Sequence, residues 1–163
     1  TTGEGVGANT GTVKQRVMHP TRDLPVFMTI AGNLGFDWQN QRVSCWIPAY
    51  SKGLPYGWGG AMGAAQFIPS TWALYQKRLS KAFGIPADQA NPWNPEHAIM
   101  AASLYLSDLG AGLQTYTAER NAACSYYSGK KCASSTDGTV YGNSVMKWVA
   151  KVQEEMIDPL LGK

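Results

Sequence analysis

The sequence is poor in charge and lacks any long apolar run. Only 15% of its 163 residues are charged, and the net charge is +3. No stretch approaches the roughly 20 consecutive apolar residues that a membrane-spanning helix needs. The basic residues are scattered, whereas phosphate binding calls for a dense basic patch. These absences argue against a membrane span within this chain and against a nucleic-acid partner.

Residue sets for metal or nucleophilic chemistry are also missing. The two histidines, His19 and His97, lie far apart, and no Cys-x-x-Cys pair occurs. The chain has neither a Gly-x-Ser-x-Gly elbow nor a phosphate-binding Walker loop. We therefore expect no metal and no cofactor, and each histidine to be structural or solvent-facing.

The cysteine count is odd. Cys124 and Cys132 bracket the seven-residue loop SYYSGKK, which a disulfide can close if the Cα atoms lie within about 4.4 to 6.8 Å. Cys45 is then left over. A low-charge chain rich in Gly, Thr, Ser, Trp and Tyr is typical of an extracytoplasmic protein.

Hydrophobic periodicity predicts a mostly helical, all-α protein with one core and long irregular loops. Residues 1–22 are predicted to form an irregular arm or loop, and residues 23–158 a single domain. An aromatic-rich loop region follows the first helix over residues 36–60. The predicted helices cover about residues 23–34, 69–83, 94–109 and 117–127, and a last one begins after Gly142 at Asn143 and carries an apolar stripe of Val145, Val149, Val152 and Met156.

The most specific stretch runs from Gly57 to Trp72, GWGGAMGAAQFIPSTW. Its small residues let the backbone approach a ligand closely, and the amide of Gln66 can both donate and accept hydrogen bonds. Such a surface suits a sugar. The alternative interpretation is a tight contact between helices with Gln66 as an ordinary loop residue.

Four segments carry a resemblance to a known family. They are GAMGAAQFIPSTW at 60–72, NPWNPEHAI at 91–99, AACSYYSG at 122–129 and YGNSV at 141–145. This set resembles lytic transglycosylases with a lysozyme-like fold, nearest the membrane-bound lytic transglycosylase B type. The similarity extends from about residue 57 to residue 152.

The resemblance implies cleavage of the β-1,4 bond between N-acetylmuramic acid and N-acetylglucosamine in peptidoglycan, with a 1,6-anhydromuramoyl product. A single glutamic acid would perform both proton transfers, without a metal or a second carboxylate. Tyr127 stands where the family usually has Asn, so which of two adjacent tyrosines faces the cleft stays open. The implied substrate-binding residues are Trp58, Met62, Gln66, Phe67, Tyr126 and Tyr127.

The catalytic acid is where this chain departs from the family pattern. The family has a Glu-Ser motif on a helix before the Gly-Ala-Met-Gly segment, and this chain has no Glu-Ser. Before Gly57 the only carboxylates are Glu4, Asp23 and Asp37. Asp23 is expected to cap a helix and Asp37 to serve a loop, which leaves Glu4 as the candidate within the chain. The other expectation places the catalytic helix upstream of Thr1, together with a disulfide partner for Cys45.

Three functions stay open at this point. The leading one is a peptidoglycan lytic transglycosylase acting outside the cytoplasm on glycan strands. The second is a noncatalytic glycan-binding or scaffold domain on the same fold. The third is an assembly protein that docks a protein partner through its aromatic loop at 36–58.

Overall fold

The structure is a computed structural model that describes residues 4–6, 17–45 and 58–162. Helices dominate, as the sequence predicts. The chain divides into two compact units, residues 1–101 and 102–163, and this division falls inside the segment predicted as one domain. The described elements are β1 (Glu4–Val6), α1 (Leu24–Asn33), β2 (Arg42–Ser44), α2 (Pro69–Phe83), α3 (Pro95–Asp108), α4 (Tyr116–Ser128), α5 (Thr136–Val152) and α6 (Asp158–Leu160).

A two-stranded antiparallel sheet joins the N-terminal arm to the loop region after α1. Strand β1 pairs with β2 so that Glu4 lies opposite Ser44 and Val6 opposite Arg42. Sequence periodicity could not predict these strands because each is only three residues long. About half of the aromatic loop, residues 46–57, lies outside the described residues.

Helices α1 and α2 supply the core of the first unit. In α1, Phe27, Ile30 and Ala31 are buried, and in α2 a buried stripe runs through Trp72, Tyr75 and Leu79. The spacing of three to four residues is that of one helix face. Gly84 ends α2 in the left-handed conformation, with φ of 66°. The bounds predicted for α2 are confirmed.

Asn94 caps α3, as its place before Pro95 predicts. Its Oδ1 accepts hydrogen bonds from the backbone N–H of Glu96 at 2.8 Å and of His97 at 3.4 Å. The buried face of this helix contains Ala98 and Ala101, whereas Ile99 is exposed. This helix therefore buries small side chains and leaves the larger Ile99 at the surface.

In the second unit, α4 and α5 are each capped by a side chain. Thr115 Oγ1 accepts from Ala118 N–H at 3.3 Å, and Ser135 Oγ accepts from Gly138 N–H at 3.0 Å. A disulfide joins Cys124 to Cys132 with a Cα–Cα distance of 5.2 Å, which confirms the predicted pairing. Cys45 is a free thiol.

The predicted start of the last helix is wrong, because α5 begins seven residues earlier than Asn143, at Thr136. The sequence predicts that the helix starts after Gly142, but this glycine lies buried inside it. A Cβ atom at Gly142 would lie 2.4 Å from Cys124 Sγ, and one at Gly138 would lie 2.7 Å from Ser128 Oγ. These glycines permit the close packing of α5 against α4.

Beyond Val152 the helix continues through a π-helical turn over Gln153–Ile157 into α6. Pro159 lies in α6 and has no N–H to donate, and the wider turn before it accommodates this loss. Over the described ranges, every helix is too short or too polar to cross a membrane.

Candidate functional site

A tight turn presents Gln66 at the surface. Met62 N–H donates to Phe67 O at 2.8 Å, and these two residues form an antiparallel bridge across residues 63–66. Gln66 is exposed and has a left-handed φ of 56°, which is uncommon for a residue other than glycine. Its Nε2 donates to Gly63 O at 2.8 Å, which fixes the side chain against its own turn.

Gly63 brings this turn against the segment before α3. Its φ is 59°, and an added Cβ would lie 1.8 Å from the carbonyl oxygen of Pro92. No side chain fits in that space. The glycine of the Gly-Ala-Met-Gly motif therefore serves contact between two parts of the chain that lie far apart in sequence.

Strand β2 holds the start of the same motif. Gly60 N–H donates to Ser44 O at 2.8 Å, and Ser44 N–H donates to Ala61 O at 2.8 Å. The Ser44 hydroxyl accepts a further bond from Ala61 N–H at 2.9 Å. A Cβ at Gly59 would lie 2.3 Å from Ser44 O, so this close pairing also requires glycine.

Trp93 completes the wall of the site. Its Nε1 donates to Arg42 O at 3.1 Å, which links the Asn-Pro-Trp segment to β2. The indole meets Phe36 edge-on, with ring centroids 5.5 Å apart. Asn91 Oδ1 accepts from Trp93 N–H at 2.9 Å and fixes the local turn.

These contacts form the walls of a solvent-open pocket of about 260 Å³ in the first unit. Its polar and aromatic walls can hydrogen-bond a neutral ligand and stack on it. Sequence reasoning identified Gln66 but missed Arg42 and Trp93 as site residues, although the Asn-Pro-Trp segment was a usable signal. The lining residues are Asn40, Gln41, Arg42, Val43, Ala61, Gly63, Gln66 and Trp93.

No carboxylate lines this pocket in the described part of the chain. Asp37 lies near it in sequence, but its oxygens accept hydrogen bonds from Gln39 N–H and Asn40 Nδ2. Asp23 is fully buried and bonds to Arg22 and Ser70. The backbone of Glu4 lies in β1 opposite Ser44, one strand away from the segment that contributes Ala61 to the pocket.

The other predicted binding residues of the first unit lie around the turn. Met62 is completely buried and Phe67 is 3% exposed, so both side chains pack in the core beneath Gln66. The half-buried Trp58 has its ring centroid 5.1 Å from that of His19. His19 Nδ1 accepts from the N–H groups of Thr21 and Arg22, which supports the structural role expected for it.

The two adjacent tyrosines belong to the second unit and face different neighbours. Tyr126 is half-buried, and its ring lies 5.1 Å from that of Tyr105. Tyr127 is exposed and stacks on Tyr141 with centroids 4.8 Å apart and planes 14° from parallel. Tyr127 therefore contributes to a surface of α4 and α5, and Tyr126 is the more enclosed of the pair.

Comparison with known families identifies the chain. The model of the transglycosylase SLT domain matches residues 39–149, about two thirds of the sequence. The chain belongs to the transglycosylase SLT family. All the pocket-lining residues fall inside the matched range. No curated protein and no solved structure matches the chain.

Membership in the SLT family accounts for the helical architecture, because the SLT domain is a lysozyme-like all-helical fold. It also gives the general activity: proteins of this family cleave glycan strands, and their substrate is peptidoglycan. Action on peptidoglycan suggests a location outside the cytoplasm, and the Cys124–Cys132 disulfide is consistent with it. Among the described residues no group of His, Cys, Asp and Glu could hold a metal ion.

Proposed function

We propose that this SLT domain is a lytic transglycosylase of the membrane-bound B type, which cleaves the bond between N-acetylmuramic acid and N-acetylglucosamine. The observation that carries the proposal is the pocket with Gln66 at its rim and Trp93 in its wall. The segments 60–72 and 91–99, which resemble the B type, contribute half of the lining residues, and residues 40–43 contribute the rest. A polar, half-open cleft with an aromatic wall suits a sugar ring.

Gln66 is placed to bind the glycan. One N–H of its amide is engaged by Gly63 O, and no other hydrogen bond of this side chain occurs within residues 4–6, 17–45 and 58–162. The second N–H and the carbonyl oxygen therefore remain for a ligand hydroxyl or acetamido group. Because the turn fixes the amide, little side-chain freedom is lost on binding.

The reaction would need one glutamic acid. The acid gives its proton to the glycosidic oxygen as the bond from the anomeric carbon breaks. The resulting carboxylate then removes the proton from the C6 hydroxyl, whose oxygen closes the 1,6-anhydro ring on that carbon. The glutamic acid ends the cycle protonated, as it began. The reaction therefore consumes no water and requires neither a metal nor a second carboxylate.

We place this acid either at Glu4 or upstream of Thr1. Support for Glu4 is the position of its backbone, which pairs with Ser44 beside the pocket. Support for an upstream glutamate is the family motif, Glu-Ser on a helix, which this sequence does not contain. We also propose Trp58 of the first unit, and separately Tyr126 of the second unit, as glycan contacts.

Digestion of purified peptidoglycan sacculi tests the proposal, with anhydromuropeptides detected by mass spectrometry. We expect anhydro products to fall at least tenfold in Gln66→Ala. The matched control is Gln114→Ala, because Gln114 is also exposed with a left-handed φ of 52° and does not line the pocket. Reducing ends formed by water in place of anhydro ends would contradict the proposal.

Glu4→Gln separates the two positions for the acid. If Glu4 is the acid, its loss abolishes product formation while binding to sacculi persists. If the acid precedes Thr1, the 163-residue chain forms no product with or without this change, and the longer encoded protein does.

A noncatalytic glycan-binding domain is the second candidate, favoured by the lack of a carboxylate among the residues that line the pocket. It predicts saturable binding to sacculi that depends on Gln66, with no product at any pH from this chain or from a longer encoded one.

A further inference from the structure

The last helix of the second unit carries an exposed apolar face that the proposed glycan pocket does not use. We call it the C-terminal apolar face. Trp148 is 60% exposed and Leu160 86% exposed, which is high for large apolar side chains. The sequence predicts an apolar stripe that includes Val149, Val152 and Met156. A stripe that packed on the core would be buried, but these side chains are exposed. Its members are Tyr141, Trp148, Val149, Val152, Met156, Ile157, Leu160 and Leu161.

The face is one continuous surface. Residues 136–160 form an unbroken helix through the π-helical turn, roughly 37 Å long at a rise of 1.5 Å per residue. Along it lies a groove of about 530 Å³ whose walls include Val145, Trp148 and Val152. An apolar surface of this length on a helix indicates a protein contact.

Charges are segregated over residues 147–158 of the same helix. Lys147 and Lys151 precede Gln153, and Glu154, Glu155 and Asp158 follow it. Lys151 Nζ lies 3.8 Å from Glu155 Oε2, so these side chains, four residues apart, share one flank of the helix. A segment that is basic before Gln153 and acidic after it is complementary to a second copy of itself in the antiparallel direction.

We propose that the C-terminal apolar face binds the same face of a second copy of this chain, antiparallel, about a two-fold axis near Gln153. In an antiparallel pair the same flanks of the two helices meet. Lys151 of one copy then lies opposite Glu155 of the other, and the reciprocal pair forms as well. This is the self-complementary contact that a two-fold dimer requires.

A membrane surface fits this helix less well. Helices that lie on membranes carry an excess of Lys and Arg on the polar side. Between residues 147 and 158 this helix has two lysines and three carboxylates, so an anionic bilayer would repel its acidic half. The charge pattern therefore favours a second copy as the occupant.

Sedimentation velocity over a range from about 2 to 300 µM tests the dimer. A single helix offers less than the roughly 800 Å² per partner of a standard interface, so we expect dissociation in the micromolar range. Trp148→Ser should weaken association at least tenfold, because a central exposed aromatic residue is the typical anchor of an interface. Leu113→Ser is the control, since Leu113 is 75% exposed in the same unit but outside the face.

Charge reversal tests the orientation. Lys151→Glu and Glu155→Lys should each weaken the dimer about tenfold, because two attractive pairs become repulsive. The double variant K151E/E155K should restore it, since the reciprocal pairs re-form with their signs exchanged. Two weakened single variants without rescue in the double variant would contradict the antiparallel arrangement.

Crosslinking gives an independent readout in a Cys45→Ser background. A cysteine introduced at Gln153, near the axis, should form a disulfide between copies. One introduced at Ser144 should not, because its mate would lie roughly 27 Å away along the paired helices.

The proposal is overturned if the chain stays monomeric at 300 µM, or if Trp148→Ser leaves association unchanged. It is also overturned if the monomer binds phosphatidylglycerol vesicles through Trp148 while no dimer forms.

Discussion

The carboxylate of Asp23 accepts hydrogen bonds from Ser70, which lies 47 residues later in the first turn of α2. Its Oδ1 accepts from Ser70 Oγ at 2.7 Å and from Ser70 N–H at 3.2 Å. Oδ2 accepts from Arg22 Nη2 at 2.6 Å. Asp23 occupies the N-cap position of α1, yet its side chain makes no bond there. The predicted cap of α1 is therefore wrong, and this carboxylate serves the N-terminus of α2, next to the Gln66 turn.

Asp23→Asn should be strongly destabilising. The side chain is completely buried, and the change removes a charge that accepts hydrogen bonds from two donors of Arg22 and two of Ser70. Losing a partner in such a buried network costs about 3 kcal/mol. Urea unfolding of Asp23→Asn measures the loss, and the exposed Asp88→Asn serves as the control. A loss below about 1 kcal/mol would show that the network relaxes without cost.

Gly63→Ala should unfold the chain or destabilise it by more than about 3 kcal/mol, because the new Cβ collides with Pro92 O in a left-handed backbone. Gly84→Ala is a matched control: Gly84 has a similar φ of 66° but open space around its Cβ position. The control should lose only about 1 to 2 kcal/mol, the conformational cost alone. Thermal unfolding of the two variants separates the cost of the collision from the cost of the left-handed backbone. Equal losses of stability in Gly63→Ala and Gly84→Ala would rule out the collision.

The Cys124–Cys132 disulfide should contribute about 2 to 3 kcal/mol by the chain-entropy relation for so short a loop. Urea unfolding of Cys132→Ser measures this, and Cys45→Ser should change stability little because Cys45 is an unpaired, half-buried thiol. Alkylation of the unfolded, unreduced chain should modify one cysteine. Modification of three would show that the bridge is absent in the isolated protein.

Stability should fall at alkaline pH through Tyr141. Burial, and secondarily the charge of Tyr127, raise the pKa of Tyr141 above its usual value of 10.0. An acid whose pKa is raised by folding stabilises the fold fully below the unfolded pKa, and this contribution is lost as the pH rises through the folded pKa. Melting temperatures measured at low protein concentration should decline less steeply above pH 10 in Tyr141→Phe. Tyr116→Phe, at a mostly exposed site, should behave like the parent chain.

Local sequence signals predicted the helices well where a cap and an apolar stripe coincide. Asn94 followed by Pro95 located the start of α3, and Pro69 with Gly84 bounded α2. The start of α5 was missed because a glycine usually marks a helix end. At Gly142 the glycine is required by the close contact with the Cys124 sulfur. This contact joins residues 18 positions apart, so local sequence patterns do not indicate it.

The candidate site could be predicted only in part for the same reason. Gln66 was identified from the motif that contains it. Arg42 and Trp93 meet through a hydrogen bond across 51 residues, in segments without helical or strand periodicity. Asp23 was assigned to the wrong helix because its partner Ser70 lies 47 residues away.

The contact of Gly63 with Pro92 makes the two segments of the proposed glycan pocket interdependent. The backbone of residues 60–72 contacts a carbonyl group of residues 91–99 directly. Neither segment is therefore expected to keep its conformation when it is grafted alone onto another protein. A loop exchange between relatives should succeed only when residues 60–72 and 91–99 are moved together. A substitution in one segment that shifts its backbone therefore also shifts the wall that the other segment provides.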